Sequence, residues 1–161
     1  NIMTGFITGL ILGTGTVVLL VYLLLRFFFF RILFLENESP FPFIDTCDAL
    51  RVEAEKNNWR VPMVHDLQET MLKWGKQIGQ IRIYEFCKPE SAYEILSLDA
   101  EKLISSLMPC RIAVFERKNG KTYVSLMNLK PITFFAGGKV RRIMKRTADE
   151  IDIIIRKALC K

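Results

Sequence analysis

Cys87 and Cys110 are the residues best placed for chemistry. Cys87 ends an alternating stretch, residues 81–87, that reads as a β-strand, and Cys110 opens another that runs through residues 111–116. If these strands are antiparallel neighbours, the end of one and the start of the other share a sheet edge, and the thiols meet there. Lys88 and Arg111 flank them, and a nearby cation lowers a thiol pKa. The competing reading is structural, because free cysteine packs as a small buried hydrophobe. Cys47, Cys87, Cys110 and Cys160 form no CxxC pair, zinc spacing or CxxCH motif. That spacing favours packing, and scattered single thiols fit a reducing compartment.

His65 is the single histidine. It could serve as an axial haem ligand opposite Met63, Met71, Met108 or a cysteine. A polar residue beside a helix cap is the commoner fate of a lone histidine. No cofactor is fixed by these residues; haem at His65, or redox chemistry at Cys87 and Cys110, is the alternative to the polar and packing readings. No Ser-His-Asp spacing, phosphate loop or HExxH pattern occurs. Gly137 and Gly138 before Lys139 read as a turn leading into a helix. Glu85 and Glu116 lie on strands, where solvent-facing alternation accounts for them. These patterns favour a chain without catalytic activity of its own.

The elements that would position these residues divide unevenly. No acidic residue precedes Glu36, and the only bases before it are Arg26 and Arg31. Of the chain's net charge of +6, these two arginines supply +2 and the remainder, with every acidic residue, supplies +4. Residues 1–35 thus read as an apolar anchor, 36–43 as a linker broken by Pro40 and Pro42, and 44–161 as one small domain. Within the anchor, residues 5–25 are uncharged and long enough to cross a bilayer as a helix. No basic start and no A-x-A site mark the run as a cleaved signal, so it reads as a single-pass anchor. Gly5, Gly9 and Gly13 fall on one helical face as overlapping GxxxG steps, with Gly15 nearby, and such a face admits a second helix. Phe27, Phe28, Phe29 and Phe30 lie between Arg26 and Arg31. They either continue the helix while the arginines reach headgroups, or pack on a partner subunit. Bases only on the C-terminal flank place the domain in the cytoplasm and the N-terminus outside the cell membrane.

In the domain, Asp45 or Asp48 is expected to cap a helix over 46–57, with Cys47, Leu50, Val52 and Ala54 as a mixed apolar face. Residues 59–64 follow as an extended piece, in which Pro62 marks an edge or an irregularity. Asp66 caps a short helix with Glu69 at the capping-box position and Gly75 as the stop, with Leu67, Thr70, Met71 and Trp74 on one face. After strand 81–87, Pro89 opens a helix that breaks near Asp99. Residues 111–116 and 122–127 form a hairpin around Asn119-Gly120. Residues 134–138 read as a turn, and a helix over 139–159 buries Val140, Ile143, Thr147, Ile151, Ile154 and Ala158. This order predicts an α+β class with helices on one face of an antiparallel sheet.

Lys139, Arg141, Arg142, Lys145 and Arg146 cluster on that last helix. They suit anionic headgroups or a solvated face. Nucleic acid is not expected, because aromatic residues do not interleave with the bases.

At Cys87-Lys88-Pro89 with Ala92, Tyr93 and Leu96, then Met108, Pro109, Cys110 and Arg111, the Asn119-Gly120-Lys121 tip and Gly137-Gly138, the chain resembles the "domain of unknown function 302" family over residues 43–159. The resemblance implies a fold like that of the TATA-binding protein, often dimeric, so a homodimer through the soluble domain is expected from it. It implies no activity. The leading functional expectation is a non-catalytic accessory subunit that docks in the lipid bilayer on other membrane protein subunits through its helix. The alternative is a membrane-tethered redox or haem-binding protein.

Overall fold

The acid-free N-terminal run folds into one helix, α1 (Ile2–Leu33). In this computed structural model the backbone is described for residues 2–160, and the side chains at positions 2–8, 10, 11, 30 and 135 lie outside the description. Helical pairing lets so apolar a stretch satisfy its own backbone. Thr16 does the same with its hydroxyl, donating to the Leu12 carbonyl at 2.8 Å. The helix continues through the phenylalanines. The rings of Phe27 and Phe28 meet edge to face at 6.1 Å, and the Arg31 guanidinium lies 6.0 Å from the Phe27 ring.

The chain divides into two units, Asn1–Leu33 and Phe34–Lys161. This corrects the expected linker over 36–43. The helix stops at Leu33, and Phe34–Glu38 forms strand β1. What makes it a strand lies some 80 residues away. It pairs antiparallel with β5 (Thr122–Met127), Glu36 meets Arg117 at 2.6 Å, and Glu38 meets Lys121 at 2.6 Å. Pro40 and Pro42 lie beyond β1, so they do not end the helix as the sequence suggests; they sit in the short connection between β1 and the next helix.

Helix α2 (Phe43–Lys56) starts three residues earlier than the sequence predicts, and neither Asp45 nor Asp48 caps it. Pro42 occupies the cap. The Thr46 hydroxyl donates back to the Pro42 carbonyl at 2.9 Å and lies 2.7 Å from the Ser39 hydroxyl, which pulls the first turn forward. Asp45 sits in that turn, where a carboxylate favours the helix dipole. Phe43, Cys47, Leu50 and Ala54 are buried at helical spacing, whereas Val52 faces outward, 46% exposed.

Strand β2 (Arg60–Asp66) leads into α3 (Leu67–Lys73). The Asp66 carboxylate accepts from the Glu69 amide at 3.0 Å, as expected of the cap, and Gly75 follows with a φ of 70°. That amide, joined by Arg82, holds the Asp66 carboxyl below its ordinary range. The expected apolar face is not a core face: α3 buries no residue, and Trp74 is 70% exposed. Seven residues are too few to carry a face across the sheet.

Strand β3 (Ile81–Cys87) is followed by α4 (Pro89–Leu96), with Pro89 in the first turn, and by a 3₁₀ segment over Asp99–Leu107. A cis Met108–Pro109 bond leads to β4 (Cys110–Glu116), which turns through Gly120 (φ 73°) into β5. The turn expected at 134–138 is preceded by a helix the sequence reading lacks, α5 (Leu129–Phe135), capped by Asn128, whose side-chain oxygen accepts from the Lys130 amide at 3.1 Å. Helix α6 (Gly138–Ala158) closes the fold.

The sheet is antiparallel throughout, in the order β1-β5-β4-β3-β2, which makes the domain α+β as expected. Register places Tyr84 opposite Ile112, Val114 opposite Val124 and Ile112 opposite Leu126. Directly opposed residues share a face. That face packs on Leu50 and Ala54 of α2 and Ile151 and Ile154 of α6. Val140, Ile143 and Ala158 are buried as predicted, Thr147 only partly so. The other face carries Met63, His65, Ile83, Glu85, Ala113 and Phe115.

Leu50 is wholly buried and Val52 is not, although both are aliphatic and two residues apart. Leu50→Ala should cost about 2–5 kcal/mol. Val52→Ala should stay within about 0.5 kcal/mol of the parent. Urea titration followed by circular dichroism reads both.

Candidate functional site

The two thiols lie at the same end of the sheet, where β3 stops and β4 starts. The ladder opposes Cys110 to Phe86 rather than to Cys87, so the pair is one residue out of register. Both are free. Both line an apolar cavity of about 50 Å³ together with Trp59, Ile95 and Met144. Burial pushes the Cys110 thiol up to about 11, with the adjacent Cys87 adding to the effect. Burial and then Glu90 raise Cys87. The bases that could have opposed this are engaged elsewhere. Lys88 donates to Glu150 at 2.5 Å, and Arg111 lies 3.5 Å from Glu85. Thiolate is therefore disfavoured at both positions.

His65 sits on the other face of the sheet, where its Nε2 donates to Glu85 Oε1 at 2.9 Å. Arg111 approaches the same oxygen from the other side. The Glu85 side chain is only 16% exposed and is held between the two. Sequence reasoning treats Glu85 as a solvated strand residue. The sandwich escapes it because β2, β3 and β4 each contribute one member. Met63 shares the strand and face of His65 and so stands beside it rather than across from it. His65 lines neither the cavity beside the thiols nor a second apolar cavity bordered by Met108 and Pro109. Among the described residues no cluster of three His, Cys, Asp or Glu side chains could hold a metal.

Of these two cavities, the larger has a volume of about 280 Å³. Leu35, Leu126 and Ile112 line it as one cross-strand row. Ile151 and Ile155 of α6 form a wall, and Met108, Pro109 and Lys130 border it. Sequence reasoning misses this feature, because its floor needs the pairing of β1 with β5.

On α6, Lys139, Arg141, Arg142, Lys145 and Arg146 are all exposed. Arg146 is tied to Glu94 at 2.7 Å, and Arg141 lies over the Phe134 ring at 6.0 Å. In α1, Gly9 and Gly13 have nothing within 4 Å of an added Cβ, and Phe27, Phe28, Phe29, Arg26 and Arg31 are exposed. The side-chain positions of Gly5 and Phe30 lie outside the described residues.

A thiol at about 11 rather than the ordinary 9.0 carries about a hundredfold less thiolate at pH 7. Iodoacetamide at pH 7 should therefore modify exposed Cys160 well before Cys110, and Cys110 modification should keep rising beyond pH 10. Peptide mass mapping of timed samples reads this. Faster labelling of Cys110 at pH 7 would count against the buried geometry.

Two comparisons place the domain. The structure is similar to the crystal structure of an uncharacterized conserved DUF302 protein from Bacillus stearothermophilus, with a TM-score of 0.70 at 15% sequence identity, covering 79% of this chain and 98% of that one. At that identity the likeness is one of fold. No curated protein matches the chain. The family match described as "Domain of unknown function DUF302" spans residues 35–158, beginning inside β1. By that match, the chain belongs to the DUF302 family.

Proposed function

We propose that this chain is a single-pass, non-catalytic membrane subunit, which docks on other membrane proteins through α1 and holds its DUF302 domain in the cytoplasm. The observation that carries the reading is the helix. Over Leu12–Leu33 it is long and apolar enough to cross a bilayer, and none of that stretch is buried. Apolar side chains exposed over so many turns need lipid or protein around them. Gly9 and Gly13 support helix contact, because an approaching backbone would meet no side chain there. The bases Arg26 and Arg31, in the C-terminal part of Leu12–Leu33 with none N-terminal to that stretch, support the cytoplasmic placement. The exposed basic row of α6 suits anionic headgroups at the same surface. In the domain we extend the fold reading to a TATA-binding-protein-like arrangement. Its open sheet face, with Met63, Ile83 and Phe115, is the surface for a homodimer. Raised thiols at Cys87 and Cys110 weigh against a redox role.

Alkaline carbonate extraction of native membranes should leave the chain in the pellet. A membrane-impermeant maleimide should reach Cys160 only after the cells are opened. Purified in mild detergent, the chain should carry a fixed set of larger subunits. Gly9→Leu with Gly13→Leu should release them, whereas Gly15→Leu, on another face, should not. Recovery of the chain in the carbonate supernatant would end the membrane reading, and an unaccompanied monomer would end the subunit reading.

A further inference from the structure

The larger cavity lies between strands β1, β5 and β4 and helices α5 and α6. Helices α2 and α6 pack on β3, β4 and β5. The row Leu35, Leu126 and Ile112 continues across β5 to β1, and Leu129 of α5 with Ile151 and Ile155 of α6 stands around the space beside it. The space left is about 280 Å³. An apolar cavity of about 150 Å³ suffices for benzene, so this one suits a chain or ring system roughly twice that size.

Its border is polar on one side. Lys130, at the start of α5, has its ammonium 3.8 Å from Asp152 and 3.9 Å from Asp149. Both distances exceed hydrogen-bond range. Asp152 is meanwhile bonded to Arg156. The lysine is about half exposed and free to turn toward a closer anion. Arg111 and Asp152 also line the cavity, but Arg111 is paired with Glu85 and Asp152 with Arg156, so Lys130 is the lining cation left to meet an anionic head on an apolar tail.

We propose that this cavity binds a single-chain anionic amphiphile of medium length, such as a fatty carboxylate. The tail lies along Leu35, Leu126 and Ile112 against Ile151 and Ile155, and the carboxylate meets Lys130. The site does not rest on the membrane reading, since all its residues belong to the domain.

Decanoate titrated calorimetrically into the full-length chain in phosphatidylcholine nanodiscs, against empty discs, tests this. If extraction returns the chain to the soluble fraction, the same titration is run in buffer, so the two readings fail separately. Saturable binding of one decanoate per chain is expected. Lys130→Gln should weaken decanoate roughly three- to fivefold, the scale of an exposed ion pair, and leave decanol unchanged. Ala148→Trp, which fills the cavity from α6, should abolish binding of both. Circular dichroism verifies the fold of each variant, and the Lys130→Gln comparison decides alone if Ala148→Trp does not fold. Heats equal to those of empty discs, equal weakening of decanol by Lys130→Gln, or binding intact in a folded Ala148→Trp protein would each overturn the proposal.

Discussion

Glu150 holds together what the rest of the domain depends on. Its carboxylate accepts from the indole of Trp59 at 3.1 Å and from the Lys88 ammonium. Trp59 stands where α2 gives way to β2, and Lys88 where β3 gives way to α4. One side chain on α6 therefore fastens two junctions that lie far apart in sequence. Trp59 is almost wholly buried, so its N–H needs a partner or incurs the desolvation penalty of an unmet donor. Glu150 meets that need only with α6 seated in its observed position along the sheet. The apolar layer of Leu50, Ile112, Val114, Val124 and Ile154 supplies most of the stabilisation by burial, but burial has no direction. The polar clasp supplies the direction.

The same seating explains the contrast between the two ends of the covered face. At the end of β3 and the start of β4, α4 and α6 crowd over the sheet, and the thiols of Cys87 and Cys110 lie in a space of about 50 Å³. Toward β1 a space more than five times larger remains, and Cys110 borders it as well. Desolvation dominates the first place, so its cysteines behave as hydrophobes despite the neighbouring bases. Lys88 and Arg111 do not offset it, because each already serves a carboxylate. Nearness in sequence to a cation says little about a thiol until the partner of that cation is known.

What was legible in the sequence follows from the range of the interactions involved. Strand 81–87, the Asn119-Gly120 tip, the Asp66 cap and the periodic burial along α6 are set by residues within a few positions of each other, and they were read correctly. So was Pro62, which lies in edge strand β2 where the register shifts between Arg60 and Met63. Strand β1 was not legible, because the partners of Glu36 and Glu38 are Arg117 and Lys121. The start of α2 was missed because a threonine hydroxyl, rather than an acidic cap, fixes the first turn. Of the candidate site, the ends of β3 and β4 were placed beside one another correctly. The register offset between the thiols, the clasp of Glu85 by His65 and Arg111, and the cavity all depend on cross-strand pairing and could not be read from spacing.

The sheet edges narrow how this domain can associate. An unprotected edge strand invites another strand to pair with it. Here β1 presents Glu36 and Glu38, each held by a base on the β4–β5 hairpin, so a strand added there would lie against two fixed ion pairs. At the opposite edge, Pro62 removes a donor and the register irregularity bends β2 away from a regular ladder. Both edges are thus poor templates. Surfaces that remain are the open face, where apolar Met63, Ile83 and Phe115 surround the Glu85 clasp, and, in the other unit, the exposed helix α1. The first is mixed and partly charged; the second, over its described residues from Leu12 to Leu25, carries no charge and is mainly apolar. The hydrophobic driving force per unit area is greater for the helix, so the stronger demand for a surrounding partner falls on α1 rather than on the sheet.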